Sequence, residues 1–89
     1  MLGSNAKVFR YDYGEVDWVV AESREQADAH MFELFGEDAS FYEEIKELTV
    51  EDLKDTSYRD DNFSGTMYQQ YIRSLLMEGS LPYTLAATE

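Results

Sequence analysis

The sequence predicts an α+β fold: a small, mainly antiparallel sheet in the order β-β-α-β-α-α-β, with helices packed mostly on one face. Three observations carry this. Residues 7–13 (KVFRYDY) alternate with aromatics on one side, and Val16–Ala21 follows as an apolar run across a Gly-Glu turn. That run stops at Glu22-Ser23 and a helical pattern begins at once, so a buried strand feeds directly into an amphipathic helix. Farther along, strand and helix signals are only partly segregated, which suits α+β better than a strict β/α alternation.

Each element has its own signal. In residues 7–13, Phe9, Tyr11 and Tyr13 share one face, and Val8, Arg10 and Asp12 the other. Gly14-Glu15 fits a two-residue hairpin turn. Val16–Ala21 carries apolar residues on both faces, as a central strand does. Ser23 with Gln26 three residues later is a helix-capping pair. Ala27, Met31, Leu34 and Phe35 then fall on one apolar stripe, and Gly36 is the stop. With Trp18 and Val20, that stripe is the expected core. Glu25, Asp28 and Glu33 lie off it, in solvent.

Residues 41–48 (FYEEIKEL) suit either a helix, through the spacing of Phe41, Ile45 and Leu48, or a short strand. A strand over residues 43–48 fits the surroundings better. Thr49 with Asp52 caps a short helix over residues 50–54, and residues 55–64 read as a polar loop. Thr66 with Gln69 caps a helix of about 12 residues. Its wide apolar face combines Met67, Tyr71 and Leu75 with Tyr68, Ile72 and Leu76. Gly79 ends it, and Pro82 opens a last strand over residues 83–88. Residues 7–89 thus read as one compact domain, and residues 1–6 (MLGSNA) as an expression scar outside the fold.

Composition narrows the function classes. Hydrophobic residues make up 44% of 89, too many for a disordered chain. No apolar run is long enough to span a bilayer, and no basic-then-apolar leader is present. Without cysteine there is no disulfide and no thiolate metal site. These features suit a cytoplasmic protein with no membrane partner. The charge is the outlier, at −12. All of the excess lies between Glu15 and Asp61, where 16 acidic residues face 4 basic ones. Direct nucleic-acid binding requires a basic footprint, so it is disfavoured, and a basic protein partner is favoured.

Catalytic and metal chemistry find little support. Asp60, Asn62, Ser64 and Gly65 match the first half of a calcium loop. The position that needs a bidentate Glu is Tyr71, so a solvated turn is the better reading. His30, the single histidine, has Glu33 and Glu37 at i+3 and i+7, spacings that chance supplies in so acidic a chain. With no cysteine and no second histidine, nucleophilic catalysis lacks its parts. No Gly-rich phosphate loop is present. The expectation is a protein that is not an enzyme and carries no cofactor or metal.

Taken together, the carboxylates say more. Fourteen lie between Glu22 and Asp61: Glu22, Glu25, Asp28, Glu33, Glu37, Asp38, Glu43, Glu44, Glu47, Glu51, Asp52, Asp55, Asp60 and Asp61. Spaced carboxylates can stand in for nucleic-acid phosphates, which present one charge per ~1.7 Å of duplex. The alternative is that they only keep a small domain soluble, for which a net charge of magnitude ~2–8 suffices. Tyr42, Tyr58 and Phe63 lie in the polar region, harder to bury, and are candidate aromatic contacts for a partner.

The passage WVVAESREQADAHMFELFG, with the closing LPYTLAATE, resembles small phage- and prophage-encoded proteins. In those, an aromatic hairpin leads through a VAES turn into a helix, and a short strand follows a Pro at the end. The resemblance spans most of residues 8–88 and rests on structural motifs. That class includes anti-CRISPR proteins, many of which occupy the DNA or guide-RNA surface of a Cas effector. The resemblance therefore implies a non-enzymatic inhibitor in the cytoplasm of a bacterial host. Its target would be a basic nucleic-acid-binding protein such as a Cas effector, blocked by mimicry or sterically. It transfers no individual binding residue. A phage accessory module that binds protein through its aromatics, as a homodimer among other arrangements, is the alternative.

Overall fold

One strand of alternating pattern and one apolar on both faces organise the sheet. β1 (Lys7–Asp12) and β2 (Val16–Ala21) pair antiparallel, with Lys7 opposite Ala21 and Asp12 opposite Val16. The computed structural model describes residues 6–78 and 80–87. Because side chains alternate along a strand, this register sorts them cleanly. Phe9, Tyr11, Val19 and Ala21 line one face, and Val8, Trp18 and Val20 the other. Val19, Val20 and Ala21 are wholly buried, as the two-sided apolar pattern of β2 requires. The connection is one residue longer than the expected turn, spanning Tyr13, Gly14 and Glu15. Gly14 sits at φ 95°, a conformation side-chain-bearing residues avoid, and its N–H donates to Asp12 Oδ1.

Edge strands complete a four-stranded sheet in the order β3-β1-β2-β6, antiparallel throughout. β3 (Glu44–Leu48) settles the ambiguous stretch as a strand, entered through a single 3₁₀ turn at Ala39–Phe41. β6 (Tyr83–Ala87) follows the cis Leu81–Pro82 peptide. Its pairing with β2 passes from Ala86 to Thr84 and skips Leu85, so Leu85 and Ala86 both turn toward the Trp18 side.

Helices cover both faces rather than mostly one. α1 (Arg24–Phe35) lies alone against the Phe9–Tyr11–Val19 face, where Ala27 and Met31 are wholly buried. α2 (Val50–Asp55) and α3 (Met67–Met77) lie together on the other face through Leu53, Met67 and Tyr71. The both-sided burial of β2 demands such a second cover. Each helix is capped where the sequence indicates. Ser23 Oγ accepts from Gln26 N, while Gln26 Oε1 reaches past Ser23 to Glu22 N. Thr49 with Asp52 and Thr66 with Gln69 form reciprocal boxes. Gly36 ends α1 at φ 72°.

Three expectations need correction. Leu34 and Phe35 are 53% and 51% exposed instead of buried. The last turn of α1 reaches the β1–β2 hairpin tip, where Phe35 meets the ring of Tyr13 and no strand lies beneath. On α3 the inward stripe is Met67, Tyr71 and Ser74, so Ile72 and Leu76 rotate outward. The polar loop contains a small second sheet, β4 (Ser57–Arg59) with β5 (Ser64–Thr66). Strands of three mostly polar residues have no hydrophobic alternation by which to announce themselves. Gly79 and Thr88, expected to end α3 and the last strand, lie outside the described residues. So do residues 1–5, whereas Ala6 packs on the core and its carbonyl accepts from Tyr71 Oη at 3.0 Å.

Candidate partner-binding surface

The fourteen carboxylates divide into two groups. Five are engaged by the protein's own fold. Asp28 accepts from Tyr11 Oη (2.6 Å) and pairs with Arg24 Nε (2.9 Å). Asp38 caps the 3₁₀ turn through Ser40 N. Glu44 pairs with Arg10 at 3.1 Å. Asp52 closes the α2 capping box and lies 3.8 Å from Lys46. Asp60 accepts from Tyr58 Oη and Asn62 N and lies 4.0 Å from Arg73. Backbone and side-chain hydrogen bonds hold Asp38, Asp52 and Asp60 below the usual carboxylate range. Sequence spacing revealed the Asp52 cap; the Asp38 cap and the Asp60 turn are equally local, and the contacts of Asp28 with Tyr11, Glu44 with Arg10 and Asp60 with Arg73 depend on tertiary neighbours.

The remaining nine are Glu22, Glu25, Glu33, Glu37, Glu43, Glu47, Glu51, Asp55 and Asp61. Among the described residues none of their carboxylates has an ion-pair or hydrogen-bond partner. In chain order they run from α1 on one face, past the β3 edge, to α2 and the β4–β5 turn on the other side. The acidic side chains are therefore distributed over both sides of the sheet and its β3 edge rather than gathered on one face.

Of the aromatic candidates, Tyr42 needs correction, and Tyr58 and Phe63 are half-buried. Tyr42 is 9% exposed and lies inside the α1-side core, its ring edge-on to Tyr11 at 5.1 Å. Its buried hydroxyl has no hydrogen-bond partner among the described residues. Tyr58 and Phe63 face each other across the β4–β5 hairpin, with ring centroids 6.3 Å apart. Arg73 from α3 already covers Phe63, its guanidinium carbon 4.2 Å from the ring centroid. The hairpin and α3 place both partners, a pairing that sequence spacing alone could not show.

A different aromatic group is exposed. Tyr13 stands between Phe35 at 6.2 Å and Phe41 at 5.9 Å, with Tyr42 beneath at 5.7 Å. Phe35 and Phe41 are each about half exposed. Burial first, then the nearby charges of Asp17 and Glu15, push the Tyr13 phenol up to about 12. The sequence signal was present in Phe41 and Phe35, but periodicity assigned Phe35 to the core.

Asp17 is the buried carboxylate of the molecule's interior. It points to the α1 face, 3% exposed, and accepts from Tyr13 Oη at 3.3 Å. Burial raises its pKa. His30 contacts Thr84 Oγ1 at 2.9 Å between α1 and β6, and burial lowers its pKa. The half-calcium pattern is a hairpin turn in which Asp60 accepts from Asn62 N, and among the described residues no three His, Asp or Glu side chains converge. No helix among those residues is long and apolar enough to cross a membrane. Comparison with family models, curated proteins and solved structures finds no match to this chain.

Proposed function

We propose that this protein is a non-enzymatic acidic inhibitor that occupies the basic nucleic-acid-binding surface of a host protein. The observation that carries the reading is the set of nine carboxylates that have no partner among the described residues. A fold that needed acidity only for capping and ion pairs would use the five that are engaged. With the other nine the net charge reaches −12, beyond the magnitude of ~2–8 that solubility asks of a small domain. Carboxylates carried on both sides of the sheet and on its β3 edge can meet the phosphate-binding groups of a basic groove, and their field steers a basic partner toward them. The resemblance to phage proteins of anti-CRISPR type makes a Cas effector the first target to test.

The test is binding to Cas effectors and other basic nucleic-acid enzymes at low salt, with competing nucleic acid. Competition is expected, and a combined Glu43→Gln, Glu47→Gln, Glu51→Gln and Asp55→Asn variant should lose most of the affinity. Asp52 is left intact because it caps α2. Absence of binding to every basic partner at low salt overturns the proposal.

The exposed Tyr13–Phe35–Phe41 group supports a second reading, a protein-interaction module that pairs through its aromatics as a homodimer. It requires a concentration-dependent dimer in sedimentation that added salt strengthens.

A further inference from the structure

We infer that the exposed cluster of Tyr13, Phe35 and Phe41 is a receptor for arginine side chains of the basic partner. The inference rests on the acidic-inhibitor reading and adds to it which basic side chain is recognised, and where.

The molecule contains its own precedent. At the β4–β5 hairpin, an aromatic pair and a carboxylate (Tyr58, Phe63 and Asp60) hold a guanidinium. Arg73 stacks over Phe63 at 4.2 Å and lies 4.0 Å from Asp60 Oδ2. A planar guanidinium suits such a place because it stacks on rings and pairs with carboxylate at once, which an ammonium does less well.

The second aromatic group has the same chemistry without the cation. Among the described residues no lysine or arginine lies over Tyr13, Phe35 or Phe41. Arg24 is the only Lys or Arg from residue 11 to residue 45, and it is bonded to Asp28. The short connection from Phe35 to Phe41 carries Glu37 and Asp38, and Glu43 lies two residues beyond Phe41. Glu37 and Asp17 are close enough for their charges to act on Tyr42, under the cluster. Half-exposed rings rimmed by negative charge are complementary to a cation with an apolar plane. A second copy of this chain is the poorer occupant, because it would bring the same negative rim to the interface.

The experiment uses labelled deca-arginine and deca-lysine, which carry equal charge, at low salt. Affinity is read by fluorescence anisotropy, and the contact is mapped by amide chemical shifts on the unsubstituted protein. Deca-arginine is expected to bind about tenfold tighter, with shifts centred on Tyr13, Phe35 and Phe41. The Phe35→Ser and Phe41→Ser double variant should reduce that preference to near unity and leave deca-lysine affinity unchanged. Equal affinity for the two peptides, or shifts spread evenly over the acidic residues, overturns the arginine site while leaving the acidic-inhibitor reading intact. Failure of both peptides to bind overturns both. A dimer in sedimentation that the double variant dissolves assigns the cluster to a second copy and also overturns the inference.

Discussion

Asp17 shows what a single residue costs this fold. Its carboxylate is buried on the α1 face with one long hydrogen bond from Tyr13. Burial therefore raises its pKa above the ordinary aspartate value of 3.8. The linkage follows directly. As pH rises from 3.8, the unfolded chain releases this proton before the folded one does, so stability falls until the raised value is passed. Above that window the penalty is complete. Asp17→Asn should be more stable than the parent at pH 8 in urea denaturation, with the difference vanishing below pH 3.8. The engaged carboxylates act in the opposite direction. Asp38, Asp52 and Asp60 are held low in the fold, so their contributions are lost as pH falls through that range. An Asp17→Asn difference that does not change with pH would mean that Asp17 titrates alike in the folded and unfolded states. Tyr42 offers a second test. A buried hydroxyl without a partner costs about 1–3 kcal/mol, so Tyr42→Phe should gain about 1 kcal/mol in the same titration. A loss of stability would show that the hydroxyl is satisfied.

At the scale of elements, the start of α3 joins three features that are separate in the sequence. Gln69 Oε1 accepts from Thr66 N at 2.8 Å, and Thr66 Oγ1 accepts from Gln69 N at 3.1 Å. Gly65 leaves room for that Gln69 amide and for the Phe63 ring, since a Cβ there would collide with Gln69 Oε1 and crowd Phe63. Gly65→Ala should therefore open the capping box and disturb the Phe63–Arg73 stack. The expected cost is about 1–2 kcal/mol by thermal unfolding, similar to Thr66→Ala. The double variant should cost less than the sum, because both break one box. Additive losses would separate the two effects. The capping pairs were legible in the sequence because they are local: Ser23 with Gln26, Thr49 with Asp52, and Thr66 with Gln69. The two long strands were legible because alternation and two-sided burial mark them. Three elements of the picture were not. β4 and β5 have too few residues for a period. Phe35 has a core-like spacing but lies past the end of the sheet. Arg73 finds Phe63 only because a hairpin and a helix meet in space. The candidate surface was thus legible in its charge and not in its aromatics.

For the molecule as a whole, one variable should move stability and binding in opposite directions. With net charge −12 and nine carboxylates that have no partner among the described residues, the folded state carries repulsion that the more expanded unfolded chain partly relieves. The ion pairs among the described residues are too few and too exposed to offset it, since exposed pairs contribute about 0–1 kcal/mol each. Raising ionic strength from ~0.01 M to ~0.15 M shortens the Debye length from ~30 Å to ~8 Å. Repulsion among the carboxylates is then screened. If that relieves about 1 kcal/mol, Tm should rise by about 4–8 °C. The same screening removes the field that draws in a basic partner, so the association rate with deca-arginine should fall by about tenfold or more over the same range. Stopped-flow mixing and thermal unfolding at matched salt concentrations measure both. A Tm that falls with salt would mean that the ion pairs outweigh the repulsion. A constant association rate would mean that the carboxylates do not steer binding, and affinity would then rest on the rings of Tyr13, Phe35 and Phe41 alone.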